Sequence, residues 1–270
     1  MKLSVREEMV PGTNLTEKFR NLKKLGFDGI EIGPSSRHES IDEIKQATEE
    51  TGVQPSITTP IGGGALVEMR KEERDRAMTS SRTALEIASE IGAVGTLSVP
   101  LFHTKMESRP RLPDLSPWMS TVELEKQMMV TLYGELAAYA ASLGNVAIII
   151  EPLNRYEQWY PCRIEEAIEI CEAVNNPHCK IMGDFFHMNF EEADMSEAIC
   201  SGGDFIANIH IADSQRRMPP RGHTDFSPGF RALKEIGYDN FCGLEGTVTG
   251  NPMVDLAQCA GHLHSVWDAA

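Results

Sequence analysis

The sequence predicts a single-domain α/β protein, a closed (β/α)8 barrel spanning residues 1–270. Three observations carry this. Eight short β-rich runs alternate with longer amphipathic runs along the chain. Several of the β-rich runs are continuously apolar, as strands covered on both faces of a parallel sheet are. No GxGxxG follows the first strand, which removes the main signal for an open doubly wound sheet.

The elements read in order as follows. "KLSV" (2–5) is the first strand, and a helix over 15–25 follows, with Thr13 or Asn14 as its cap and Gly26 as its stop. "DGIEIG" (28–33) is the second strand, before a helix over 41–51 closed by Gly52. "QPSITT" (54–59) precedes a helix over 71–91, and "VGTLSVP" (94–100) precedes one over 122–143. The second half repeats the pattern. "NVAIIIEP" (145–152) leads to a helix over 164–174, and "CKIMGD" (179–184) to one near 195–200. "IANIHIAD" (206–213) leads to 229–236, and "FCGLEG" (241–246) to 254–267. One connection is unusually long. The segment 101–120 holds Trp118 and three prolines, which suggests a semi-rigid flap near the mouth of the barrel.

Composition narrows the function classes. Of 270 residues, 41% are hydrophobic, enough for one large core. The net charge of -15, with no long basic run, argues against a nucleic-acid partner. No apolar run has the length of a membrane span, and "MKLSVREEMV" has no apolar signal core, so a cytoplasmic protein is expected. The six cysteines include no CxxC pair and read as reduced, mostly buried thiols.

In a barrel of this kind the C-terminal strand ends form the active face. Strand five runs "III" into Glu151, strand six ends at Asp184, strand seven carries His210 and strand eight ends at Glu245. Four successive strands thus deliver one metal-type ligand each to one rim. Buried carboxylates repel one another unless a cation neutralises them. Three carboxylates and an imidazole suit a divalent ion such as Mn2+, Mg2+ or Co2+.

"EPLNRYEQW", "CKIMGDFFHMNFEE", "IHIADSQRRMPP" and "ALKEIGYDNFCGLE" resemble the ketose 3-epimerases, of the D-tagatose and D-psicose 3-epimerase type. These belong to the xylose isomerase-like TIM-barrel superfamily of sugar isomerases and epimerases. The resemblance is strong over about 145–246 and weaker before it. It implies Glu151, Asp184, His210 and Glu245 as metal ligands, with Mn2+ favoured. It implies Glu151 and Glu245 as the acid/base pair, and His187, Arg216 and Glu157 as substrate contacts. A small sugar substrate and a homodimer are the expected partners, and the expected reaction is proton abstraction beside a carbonyl through an enediolate.

The pattern departs from the family at the rim. "VREEMVPG" stands where aromatic residues shape the sugar pocket, "LFHTKM" replaces a Trp-containing loop, and "PPRGHTDF" replaces "PPGEG". Arg216, Arg217, Arg221 and His223 read as a cationic cluster, and "GGG" (62–64) as a weak candidate for an anion-binding nest. The expectation is a larger, oxidised or acidic keto-sugar in place of a free ketohexose. The alternative reading is a dehydratase of the same barrel, of the inosose dehydratase type. An endonuclease of that barrel and a non-catalytic sugar-binding module are less favoured, the first for want of further histidine ligands.

Overall fold

Eight parallel strands wind in chain order around the molecule, each followed by helix. The computed structural model describes residues 1–33, 40–60, 62, 64–101 and 112–270. The strands are β1 (Lys2–Val5), β2 (Gly29–Ile32), β3 (Gln54–Thr58), β4 (Gly95–Ser98), β5 (Ala147–Ile150), β6 (Cys179–Asp184), β7 (Ile206–Ile211) and β8 (Phe241–Leu244). Hydrogen-bonded neighbours run β1-β8-β7-β6-β5-β4-β3-β2. The remaining seam, between β1 and β2, is closed just past β1 by one parallel bridge from Arg6 to Glu31. The barrel is therefore nearly closed.

The helices sit where capping chemistry puts them. Helix α1 (Leu15–Leu25) starts at Asn14, whose side chain accepts from the Glu17 amide, and stops at Gly26 in the left-handed region. Helix α2 (Ile41–Thr51) stops in the same way at Gly52, and α3 (Lys71–Ile91) at Gly92. A full capping box of Ser120 and Glu123 opens α4 (Thr121–Leu143). Helix α5 spans Ile164–Val174. The element that the sequence pattern did not show is α6 (Phe185–Glu191), a short helix springing directly from β6 with Asp184 as its cap. The outer ring is completed by α7 (Met195–Gly202), α8 (Ser227–Glu235) and α9 (Pro252–Ala269).

Two apolar layers follow from strand alternation. Outward residues such as Leu3, Val5, Ile30, Ile148, Ile150, Ile181 and Ile209 pack under the helices. A smaller cluster (Ile57, Leu97, Ala147, Ile149, Met182 and Ala207) is separate from that layer. On β5, Ala147, Ile149 and Glu151 share one parity, so the cluster and the acid point the same way. The acid at the strand end continues the inward row, with Ile149 one step beneath it.

Much of the 101–120 connection, including residues 102–111, lies outside the described residues, and the flap expectation falls largely on it. Trp118 is 75% exposed and is not among the residues lining the main cavity. Of the six cysteines, four are buried, and all six are free thiols. No helix among the described residues is long and apolar enough to cross a membrane.

Candidate metal centre and active site

The strand ends bring Glu151, Asp184, His210 and Glu245 together. One ligand atom from each lies within 4.8 Å of all the others. Parallel pairing sets the level of these residues. Asp184 stands opposite His210, and His210 opposite Gly243, two residues before Glu245. The Glu151 amide donates to Ser98 O at 3.0 Å and that of Glu245 to Ile211 O at 3.1 Å, so both glutamates are held by backbone at the rim.

Nδ1 of His210 lies 2.8 Å from Glu245 Oε2, 3.7 Å from Glu151 Oε1 and 3.8 Å from Asp184 Oδ2. Nδ1 of His210 and Oε1 of Glu151 are both buried, and neither makes an aligned hydrogen bond. Buried polar atoms without partners are costly, and here two of them face one point. The donor set, three carboxylates and one imidazole nitrogen, fits a divalent cation.

The same carboxylates are held by two arginines. Arg216 donates through Nη1 to Asp184 Oδ2 at 2.6 Å and through Nη2 to Glu245 Oε2. Arg6, at the end of β1, donates through Nη1 to Glu245 Oε1. Burial pushes the Glu151 carboxyl above its usual range. Burial acts on Asp184 and Glu245 too, but Arg216 holds Asp184 below its ordinary value, and His210 and Arg216 hold Glu245 well below. For His210 burial opposes the charged form, yet the carboxylates of Glu31 and Glu245 raise its pKa well above the usual value.

His187, on α6, reaches the same cavity. The Asn154 amide donates to its Nδ1 at 3.1 Å, and Asn154 Nδ2 lies 2.8 Å from that nitrogen. An Nδ1 that accepts leaves the hydrogen on Nε2, which lies 3.9 Å from Asp184 Oδ2 and 4.0 Å from Glu151 Oε1. His187 therefore presents an N–H to the cavity beside the acids. Asn154 also donates to Glu157 Oε1 at 3.0 Å, tying that wall residue to His187. Arg216 stacks on Phe186, 4.9 Å from the ring centre. Its own backbone is left-handed (φ 55°), as is that of Gln215 (φ 61°). Two successive non-glycine residues in that region cost energy, which the loop accepts to aim the guanidinium.

The cavity has a volume of about 540 Å³. Glu151, Glu157, His187, Arg216 and Glu245 line it, together with the apolar side chains of Leu66, Ala77, Leu97 and Val99. Gly62 and Gly64 also line it. Gly64 has φ +108, and a Cβ there would sit 2.5 Å from Glu73 O, so only glycine fits this close to α3. Gly63 is outside the described residues.

The basic-cluster expectation needs correction. Of Arg216, Arg217, Arg221 and His223, only Arg216 lines the cavity. Arg221 turns away to Asp255 at 2.6 Å and Thr249 at 2.9 Å. The reason is the loop's own anchor. The Asp213 carboxylate accepts from the amides of Ser214, Gly222 and Thr224, which fixes 213–224 as a turn. Glu7 and Glu8 do not form the wall either. Glu7 is buried against the Gly33 amide and Lys18, and Glu8 pairs with Arg6 at 2.7 Å. Arg6 and Glu31 were missed in the sequence. For Glu31 a signal existed: an acid in the short apolar strand "GIEI", on the parity of an inward residue.

Comparison with known proteins follows this geometry. A family model described as "Xylose isomerase-like TIM barrel" matches residues 19–262. The 3-dehydro-D-guloside 4-epimerase of Escherichia coli (strain K12) is 31% identical over 250 residues, covering 92% of this chain and 93% of the relative. The D-psicose 3-epimerase of Ruminiclostridium cellulolyticum is 27% identical over 264 residues, 92% of this chain and 82% of that protein. Among solved structures, the apo form of a 3-keto-D-glucoside 4-epimerase from E. coli superposes with a TM-score of 0.88 at 28% identity, over 98% of this chain and 99% of that one.

Proposed function

The chain belongs to the xylose isomerase-like TIM-barrel family, and on that premise we propose that it is a divalent-metal-dependent sugar epimerase acting on a neutral keto-sugar. The observation that carries the reading is the convergence of Glu151, Asp184, His210 and Glu245 on one point, with Glu151 and Glu245 lining the cavity. The substrate class favoured is a keto-glycoside, a sugar ring bearing a ketone and a substituent. A curated relative and a solved structure named for 4-epimerases of such compounds support this, and so do the apolar side chains in the cavity lining, which suit the substituent. A carboxylated or phosphorylated sugar is disfavoured. Arg6 and Arg216 are already matched by Glu8, Asp184 and Glu245, and Glu31, Glu151 and Glu157 add further negative charge.

Epimerisation beside a ketone requires a weakly acidic C–H to be deprotonated and then reprotonated on its other face. A divalent cation, when bound, supplies polarisation of the carbonyl and offsets the negative charge that develops on oxygen. Glu151, Asp184, His210 and Glu245 would hold it. Glu151 and Glu245 reach the ring from β5 and β8; one removes the proton and the other returns it, and their roles exchange with direction. The Nε2–H of His187 donates to an oxygen at the reacting end. Arg216 donates to sugar hydroxyls, and Glu157 accepts from one. The apolar side chains in the lining exclude water, which strengthens each of these contacts.

Mn2+ is the proposed ion, because an oxygen-rich set with a single imidazole suits it. A homodimer in the cytoplasm is the proposed assembly and location; the six free thiols support a reducing compartment. The test is a substrate panel. The Mn2+-loaded protein is incubated with 3-keto-glucosides, free ketohexoses and inososes, and products are read by NMR. Inversion next to the ketone of a keto-glycoside is expected, with slower turnover of free fructose or tagatose. Dehydrated products from inososes alone would move the assignment to a lyase.

A further inference from the structure

Glu31 is a buried carboxylate that the proposed reaction does not use. It lies on β2 and is 1% exposed. Its Oε2 is 2.9 Å from Nε2 of His210. That is the ring nitrogen opposite Nδ1, which faces Glu151, Asp184 and Glu245. An imidazole nitrogen that binds a cation must offer its lone pair, so the hydrogen belongs on the other nitrogen. An ionised carboxylate can only accept, and so a carboxylate at 2.9 Å holds that hydrogen on Nε2.

Glu31 is itself held by Arg6. The two residues form the bridge that closes the β1–β2 seam. Arg6 Nε is 3.6 Å from Glu31 Oε1, while Arg6 Nη1 donates to Glu245. One guanidinium therefore spans the carboxylate behind His210 and the carboxylate beside it. An ion pair serving only to close the seam would not require Glu31 to meet the imidazole edge.

We propose that Glu31 is a positioning residue that sets the tautomer and orientation of His210 toward a bound cation, with Arg6 keeping Glu31 and Glu245 in register across the seam. This rests on the metal-site reading above, and the test separates the two.

Co2+ is titrated into metal-free wild type, Glu31→Gln and Glu31→Leu, and its dissociation constant is measured. Melting of the metal-free proteins checks that each is folded. Glu31→Leu is expected to weaken Co2+ by roughly 10–100-fold. Glu31→Gln, which keeps an acceptor but loses the charge, is expected to weaken it by about threefold or more. In the Co2+-loaded wild type, proton NMR in H2O is expected to show a strongly shifted imidazole N–H that disappears in D2O. This signal should move in Glu31→Gln and be lost to solvent exchange in Glu31→Leu. If Glu31→Leu does not fold, the Glu31→Gln constant and signal decide. Either folded variant with wild-type affinity and an unmoved N–H signal overturns the inference. A wild type that binds no Co2+ overturns the metal-site reading instead.

Discussion

Glu245 Oε2 lies 2.8 Å from Nδ1 of His210, yet the two make no aligned hydrogen bond. Both atoms instead face a common point shared with Asp184 and Glu151. The pair comes from adjacent strands, β7 and β8, whose register places Gly243 beside His210 and so carries Glu245 to the rim. The account of function rests on this convergence.

The first prediction concerns the two glutamates. Glu151→Gln and Glu245→Gln each remove a proton carrier and a candidate ligand together. Each is expected to lower kcat by roughly 10²–10⁴-fold or more. His187→Ala, which removes one donor to substrate, should cost less. Steady-state kinetics on a keto-glycoside would show this order, and a Glu245→Gln protein with near-normal kcat would exclude the two-glutamate scheme.

Metal should stabilise the fold, since a cation neutralises carboxylates that are buried in the native state. At a free Mn2+ concentration 100 times the dissociation constant the gain is about 2.7 kcal/mol. For a chain of this size that raises Tm by roughly 5–10 °C. Thermal melts with Mn2+ and with EDTA measure it, and coincident melts would contradict a metal site at the barrel rim.

Arg221→Ala separates the rim loop from the pocket. Its partner Asp255 is 5% exposed at the side chain, while Arg221 is 39% exposed, so the pair is partly screened. A loss of about 1 kcal/mol in stability is expected, with KM unchanged. A large rise in KM would bring the basic loop back to the substrate.

What could be read in the sequence follows physical range. Helix ends were legible because their signals are local: Asn14, Gly26 and Gly52 act within a turn of their own helices. The three acids and the histidine were legible because strand ends are visible and a barrel gathers them. The short helix α6 was not, because seven residues carry too little periodicity. Arg221 was misread because its partner, Asp255, is 34 residues away. Arg6 was missed because its role depends on the closure of the ring, which no local pattern records; Glu31 had a local signal, an acid in the apolar strand "GIEI", but its partner His210 is 179 residues away.

A pH prediction comes from Asp213. Burial raises its pKa, but the amides of Thr224, Ser214 and Gly222 outweigh this and hold it below the ordinary value. A folded pKa below the unfolded one, about 3.9, adds stability above that pH and loses it as pH falls through the folded value. Asp213→Asn should therefore cost about 1–3 kcal/mol at pH 7. The gap from wild type should narrow as pH falls below 4. Denaturant melts across pH measure it, and a gap constant with pH would show that the charge does not anchor the loop.

The most direct measurement is solvent proton exchange at the reacting carbon. Mn2+-loaded protein is incubated with a 3-keto-glucoside in D2O and the sugar is followed by NMR. The account predicts deuterium at the carbon beside the ketone, in the inverted product, with incorporation abolished in both Glu151→Gln and Glu245→Gln. Inversion without deuterium, or undiminished exchange in either variant, would contradict it.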